Sequence, residues 1–202
     1  MVIEEEYSVP GERLSYSEIP VSSFTEAVEH IKREDFGDSP VFCLVDIDGT
    51  LIVNPLVKLP ILSHLTKPTI EEDVEASFLE LVSLLGEGNV TLITNRNEWE
   101  KFLWNSDEVL AASTSLLQKA GLKDSLVTTL NRQIPGLSRK RCDTLLSKIH
   151  ISIGESNRLR LLAVEDHSFI SPNRNHFLEY IAKRLLRDSG VDVEITNYVI
   201  RS

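Results

Sequence analysis

Acidic side chains, a hydroxyl and basic residues stand at the ends of apolar runs in this chain. VFCLV (41–45) leads into Asp46, Ile47, Asp48, Gly49 and Thr50. VTLIT (90–94) closes on Thr94 and is followed by Asn95 and Arg96. RLLAV (160–164) leads into Glu165, Asp166 and His167, and a helix-like stretch opens with Ser138, Arg139, Lys140 and Arg141. Two carboxylates two positions apart at a strand end, joined by a third from another strand, make an oxygen site suited to Mg2+. A small hydroxyl and a lysine beside them can hold the non-bridging oxygens of a phosphoryl group. One carboxylate can then attack phosphorus, and the other can protonate the leaving group and take a proton from water. Gly49 lets the backbone turn sharply just past the acids.

That chemistry needs elements that bring the residues to one edge. Strand-like runs recur at 41–45, 90–94, 126–130, 160–164 and, less clearly, 191–195. Helix-like stretches separate them at about 70–85, 98–120, 138–149 and 174–188. Such alternation predicts a parallel sheet with helices on its faces. Ligands of these sheets sit beyond the carboxyl ends of the strands, where the polar residues above would collect. Residues 1–40 are polar, with Pro10, Gly11 and Pro20 as breakers, and read as an extension holding one short helix. Ser23 would cap that helix, with Phe24, Ala27, Val28 and Ile31 on one face. Residues 41–202 form the predicted catalytic domain.

Composition narrows the classes. The 202 residues are 42% hydrophobic and 26% charged, the makeup of a globular protein with a core. A net charge of −10 argues against a protein that coats nucleic acid, which binds by neutralising many phosphates. Two cysteines make neither a disulfide framework nor a zinc module. No signal peptide and no apolar run long enough to span a membrane are visible, so the expectation is a soluble, cytoplasmic protein.

The segment VFCLVDIDGTL resembles the first motif of the haloacid dehalogenase (HAD) superfamily, an apolar strand followed by D-x-D-G-T. LIT at 92–94 is similar to the second motif, Lys140 to the third, and VED at 164–166 to the fourth. The likeness runs in order over residues 41–170. It implies a three-layer α/β/α sandwich with a mostly parallel sheet and Mg2+ as cofactor. It also implies that Asp46 is the nucleophile, forming an aspartyl-phosphate, and that Asp48 is the acid/base, its carbonyl on the metal. Thr94 would hold a phosphoryl oxygen with the Asn95 amide, and Lys140 would stabilise the charge. Asp166 would complete the metal site with Glu165 beside it. Gly49, Thr50, Asn95 and Arg96 fall on the substrate side. The third motif could instead fall on Arg139, Arg141 or Lys148. Where the family often has a second acid downstream in the fourth motif, this chain has Ile170 and Ser171; the Glu165-Asp166 pair resembles the adjacent-acid variant.

Retention of both Asp46 and Asp48 favours phosphate-ester chemistry, because an alkoxide leaving group needs a proton. The intervals from Asp46 to Thr94 and from Thr94 to Lys140, 48 and 46 positions, leave no room for a full cap domain. An open site suits a bulky phosphorylated substrate, small molecule or macromolecule, or closure by a neighbouring subunit in a homo-oligomer. The apolar loop 50–68 is a candidate lid or interface. Two rival readings remain at this stage: a non-catalytic relative that binds a phosphorylated ligand or a protein, and a nucleic-acid end phosphatase. An EF-hand is excluded by the position of Gly49. Gly86-Glu87-Gly88 precedes a strand and is no dinucleotide fingerprint. His167, His176, Trp99 and Trp104 read as surface or packing residues, and Cys43 as core.

Overall fold

Ser23 opens the first helix as its side chains require. Its hydroxyl accepts the Glu26 backbone N–H (3.2 Å), and Phe24, Ala27, Val28 and Ile31 are buried on one face. The computed structural model describes residues 14–52, 69–94, 106–122, 128–129, 135–166 and 176–201. At 106–108, 110, 128–129, 135–142, 176–177 and 179 it describes the backbone alone. Strand β1 (Leu14–Val21) and helix α1 (Phe24–Ile31) lead to β2 (Val41–Asp46), α2 (Glu72–Leu85) and, after a short 3-10 turn, β3 (Val90–Thr94). Then follow α3 (Ser106–Lys119), β4 (Thr128–Thr129), α4 (Pro135–Ile153), β5 (Arg158–Glu165), α5 (His176–Ser189) and β6 (Asp192–Ile200).

The six strands form one parallel sheet in the order β1-β6-β5-β2-β3-β4. Direction across the sheet and the face that each helix covers are coupled. The chain steps one way through β1, β2, β3 and β4, and the intervening helices α1, α2 and α3 pack on one core with Cys43, Val45, Leu162 and Val164. It then crosses back to β5 and steps the other way to β6. Helices α4 and α5 pack on a second core with Phe42, Leu44, Leu161 and Ala163, on the opposite face. Right-handed crossovers demand this pairing of direction with face. Alternate residues of β2 thus enter different cores, which is why its sequence is apolar without alternation. The architecture is a three-layer α/β sandwich. No helix among the described residues is long and apolar enough to cross a membrane.

Three elements differ from the sequence-based expectation. Residues 14–21, read as polar lead-in, form a strand paired with β6 along its full length. It lies at the sheet edge, where Pro20 removes no needed ladder bond. With α1 it joins the same sheet and core as the elements after residue 40. Strand β6 extends to Ile200, well past 195, because Thr196 and Asn197 are buried within it. Helix α4 begins at Pro135 rather than Ser138, so Lys140 falls in its second turn; proline at the first helical position loses no bond, since that N–H has no partner in any helix. Cys43 is wholly buried mid-strand as expected, and burial pushes its thiol up.

Candidate active site

The reversal of direction lies between β2 and β5, and it defines a crevice at their carboxyl ends. The connection leaving β2 runs toward β3 and the one leaving β5 runs toward β6, so the two diverge at the carboxyl ends and leave a crevice between them. Asp46 is the last residue of β2, and Glu165 the last of β5. The register pairing Val45 with Val164 carries Asp46 alongside Glu165.

Beyond Asp46 the chain folds back on itself at once. Leu51 and Ile52 both donate backbone N–H bonds to the Ile47 carbonyl (3.1 and 3.0 Å), and Gly49 donates to Ile52 (3.1 Å). The Ile47 N–H donates across to the Ile93 carbonyl at 3.1 Å, tying the turn to β3. Gly49 has φ +81°, and a Cβ there would lie 2.7 Å from Asp166 Cγ. Only glycine fits both the left-handed backbone and the approach of that carboxylate. The turn thus leaves room for the Asp166 carboxylate against residue 49.

Thr94, fully buried at the end of β3, donates its hydroxyl to Asp48 Oδ2 at 3.1 Å. The bond fixes Asp48 from a strand 46 positions away. Thr50 is also buried, 1% exposed, and its hydroxyl has no hydrogen-bond partner among the described residues. Asp46 keeps some accessible surface, yet its carboxyl is held well above the ordinary carboxylate range. Desolvation is the largest cause, followed by the charges of Asp48, Asp166 and Glu165; the Ile47 backbone N–H opposes them. Four carboxylates thus crowd one crevice. Among the described residues, no three acid, imidazole or thiol groups form a ready cage around one ion.

The structure thus brings together Asp46, Asp48, Gly49, Thr50, Thr94, Glu165 and Asp166. For Lys140, as for Arg139 and Arg141, it places the backbone in α4. Lys148 lies further along that helix. Asn95, Arg96, His167, Ile170, Ser171, Trp99, Trp104 and residues 53–68 lie outside the described residues. Sequence reasoning missed Tyr16 and Asn197, both buried; the alternation that starts at Leu14, Ser15, Tyr16 and Ser17 breaks at Glu18 and Ile19, so periodicity alone does not find the strand. A cavity of about 630 Å3, lined by Asp35, Phe36, Asp38, Arg158 and Arg160 among others, opens at the opposite end of the sheet. Its volume does not mark the chemistry, because the crowded acids lie elsewhere.

Compared with known proteins, no family model matches the chain, and neither a curated protein nor a solved structure matches it.

Proposed function

We propose that the crevice between β2 and β5 is the active site of a Mg2+-dependent phosphatase of the HAD type, acting on a phosphate monoester. The observation that carries the reading is the crowding of Asp46 by Asp48, Asp166 and Glu165 at the switch point of a parallel sheet. Carboxylate oxygens are the donors that a hard divalent cation takes, so the residues fit the ion by their chemistry. Asp46, Asp48, Asp166 and Glu165 would hold Mg2+, which would supply positive charge beside them and polarise a phosphoryl oxygen.

The chain's own residues then divide the work. An Asp46 oxygen attacks phosphorus and forms an acyl-phosphate bond as the ester P–O bond breaks. Asp48, fixed by Thr94, gives its proton to the departing alkoxide. It then takes a proton from a water that attacks the same phosphorus, releasing phosphate and restoring Asp46. Thr50, with its unspent buried hydroxyl, would donate to a phosphoryl oxygen. Lys140, Asn95 and Arg96 would contribute the remaining positive and amide groups of the site.

Hydrolysis of an aryl phosphate with and without Mg2+ tests the reading. Turnover should require the metal and fall at least about a thousandfold in Asp46→Asn. Equal rates in both proteins would end it. A second reading is a protein that binds a phosphorylated ligand without hydrolysing it; tight phosphate-ester binding with no turnover would select it.

A further inference from the structure

The face of the sheet covered by α4 and α5 carries a polar strip that crosses four adjacent strands. Leu44, Leu161, Ala163, Val193 and Ile195 lie in its core together with Tyr16. Alternate residues of a strand share a face, so Glu18 of β1, Asn197 of β6, Glu165 of β5 and Asp46 of β2 lie on it too. Glu165 is 3% exposed and Asn197 fully buried.

Tyr16 joins two of these groups, Asn197 and Glu18. Asn197 Nδ2 donates to the Tyr16 phenol oxygen at 3.4 Å, and the phenol donates to Glu18 Oε2 at 3.2 Å. Glu18 Oε1 meets Arg201 at 3.4 Å. Tyr16 stands opposite Ile195, so its bond to Asn197 runs along the diagonal between neighbouring strands. Asn197 stands opposite Ala163, which makes Glu165 its diagonal neighbour in the same sense. The strip therefore steps, one diagonal at a time, from the edge strand to the acid beside Asp46. The Glu165 charge acts both on the Tyr16 phenol and on Asp46.

Polar groups in a sheet core cost stability relative to apolar ones unless something else requires them. A carboxylate pressed against like charges must also be held from behind if it is to keep one position.

We propose that the amino-terminal strand is part of the site: Tyr16, through Asn197, holds the Glu165 carboxylate in place beside Asp46 and is a positioning residue for it. What the held carboxylate does rests on the phosphatase reading; the coupling itself rests on the Tyr16–Asn197 hydrogen bond and on the register that sets Asn197 beside Glu165.

A double-mutant cycle of Tyr16→Phe and Glu165→Gln, read by urea unfolding, tests the coupling without any ligand. Unfolding constants should depart from additivity by about threefold or more, whereas Ser17→Ala, on the other face of β1, should combine additively with Glu165→Gln to within about twofold. The Mg2+ concentration at the midpoint of the metal-induced thermal shift is the second readout. Tyr16→Phe should raise it about tenfold and Ser17→Ala should leave it unchanged. An additive cycle overturns the proposal whatever Mg2+ does. A coupled cycle with an unmoved midpoint overturns it as well, because Tyr16 then braces the sheet and not the site. A wild-type protein that neither responds to Mg2+ nor turns over an ester overturns the phosphatase reading, while the cycle still decides the coupling.

Discussion

At the amino-terminal end of the sheet, Arg160 is held on several sides. Its guanidinium donates to the Asp35 carbonyl (3.1 Å), Nε meets Glu194 at 3.3 Å, and Cζ lies 5.8 Å from the centre of the Phe36 ring. At the carboxyl end, Asp46 has three acids as its main charged neighbours. Both regions gather charge at strand termini, but one sets a cation among an acid, a carbonyl and a ring, and the other packs acid beside acid. Burial and like charge hold the Asp46 carboxyl up, an arrangement that costs stability near neutral pH, whereas the Arg160 contacts carry no such cost.

The largest expected effect that sharpens this contrast comes from two glycines, one at each end. Gly49→Ala forces a Cβ into Asp166 at positive φ and should cost about 3 kcal/mol, lowering Tm by roughly 10 °C and abolishing any Mg2+ response. Gly37, beside Arg160's partner Asp35, also has positive φ (+53°) but nothing within 4 Å of a new Cβ. There the same change should cost only about 1 kcal/mol. Equal losses would show that the close approach at residue 49 has no special weight. Next, Arg160→Ala removes a charge pair, a hydrogen bond and ring packing. It should lower Tm by roughly 3–6 °C and leave ester hydrolysis unchanged; a loss of turnover would join the two ends functionally.

A smaller effect, of opposite sign, is expected at Asp46. The folded protein binds its proton more tightly than the unfolded chain does. The associated stability is therefore complete below the unfolded carboxylate pKa of about 4 and is lost as pH rises through the elevated folded value. Asp46→Asn removes the charge, so at pH 7.5 without metal it should raise Tm by roughly 3 °C and flatten that part of the pH–stability curve. A variant less stable than wild type at every pH would mean that the acids are not in net repulsion.

Much of this site could be read because its residues sit at ends of strands. Asp46, Thr94, Glu165 and Asp166 each close or follow an apolar run, and a parallel sheet gathers such positions at one edge. The alternation of runs gave the α/β class for the same reason. Tyr16 and Asn197 could not be read that way. LSYSEIPV carries two serines, a glutamate and a proline, and becomes a strand only because β6 offers it a full-length partner and a polar strip to join. Likewise the end of β6 hides behind Thr196 and Asn197, whose burial depends on neighbours from other strands rather than on local pattern. Tertiary pairing supplied what periodicity lacked.

The pairing of β1 with β6 also sets a timetable. Ser17 and Thr196 touch across 179 positions of chain, so β1, once made, waits for β6. At about 5–20 residues per second the wait is roughly 10–35 seconds. Throughout it, LSYSEIPV has no sheet to join, and the charge of Glu18 and the missing N–H of Pro20 are what discourage it from pairing with another nascent chain. The polar residues that disguise this strand in the sequence thus also guard it during synthesis.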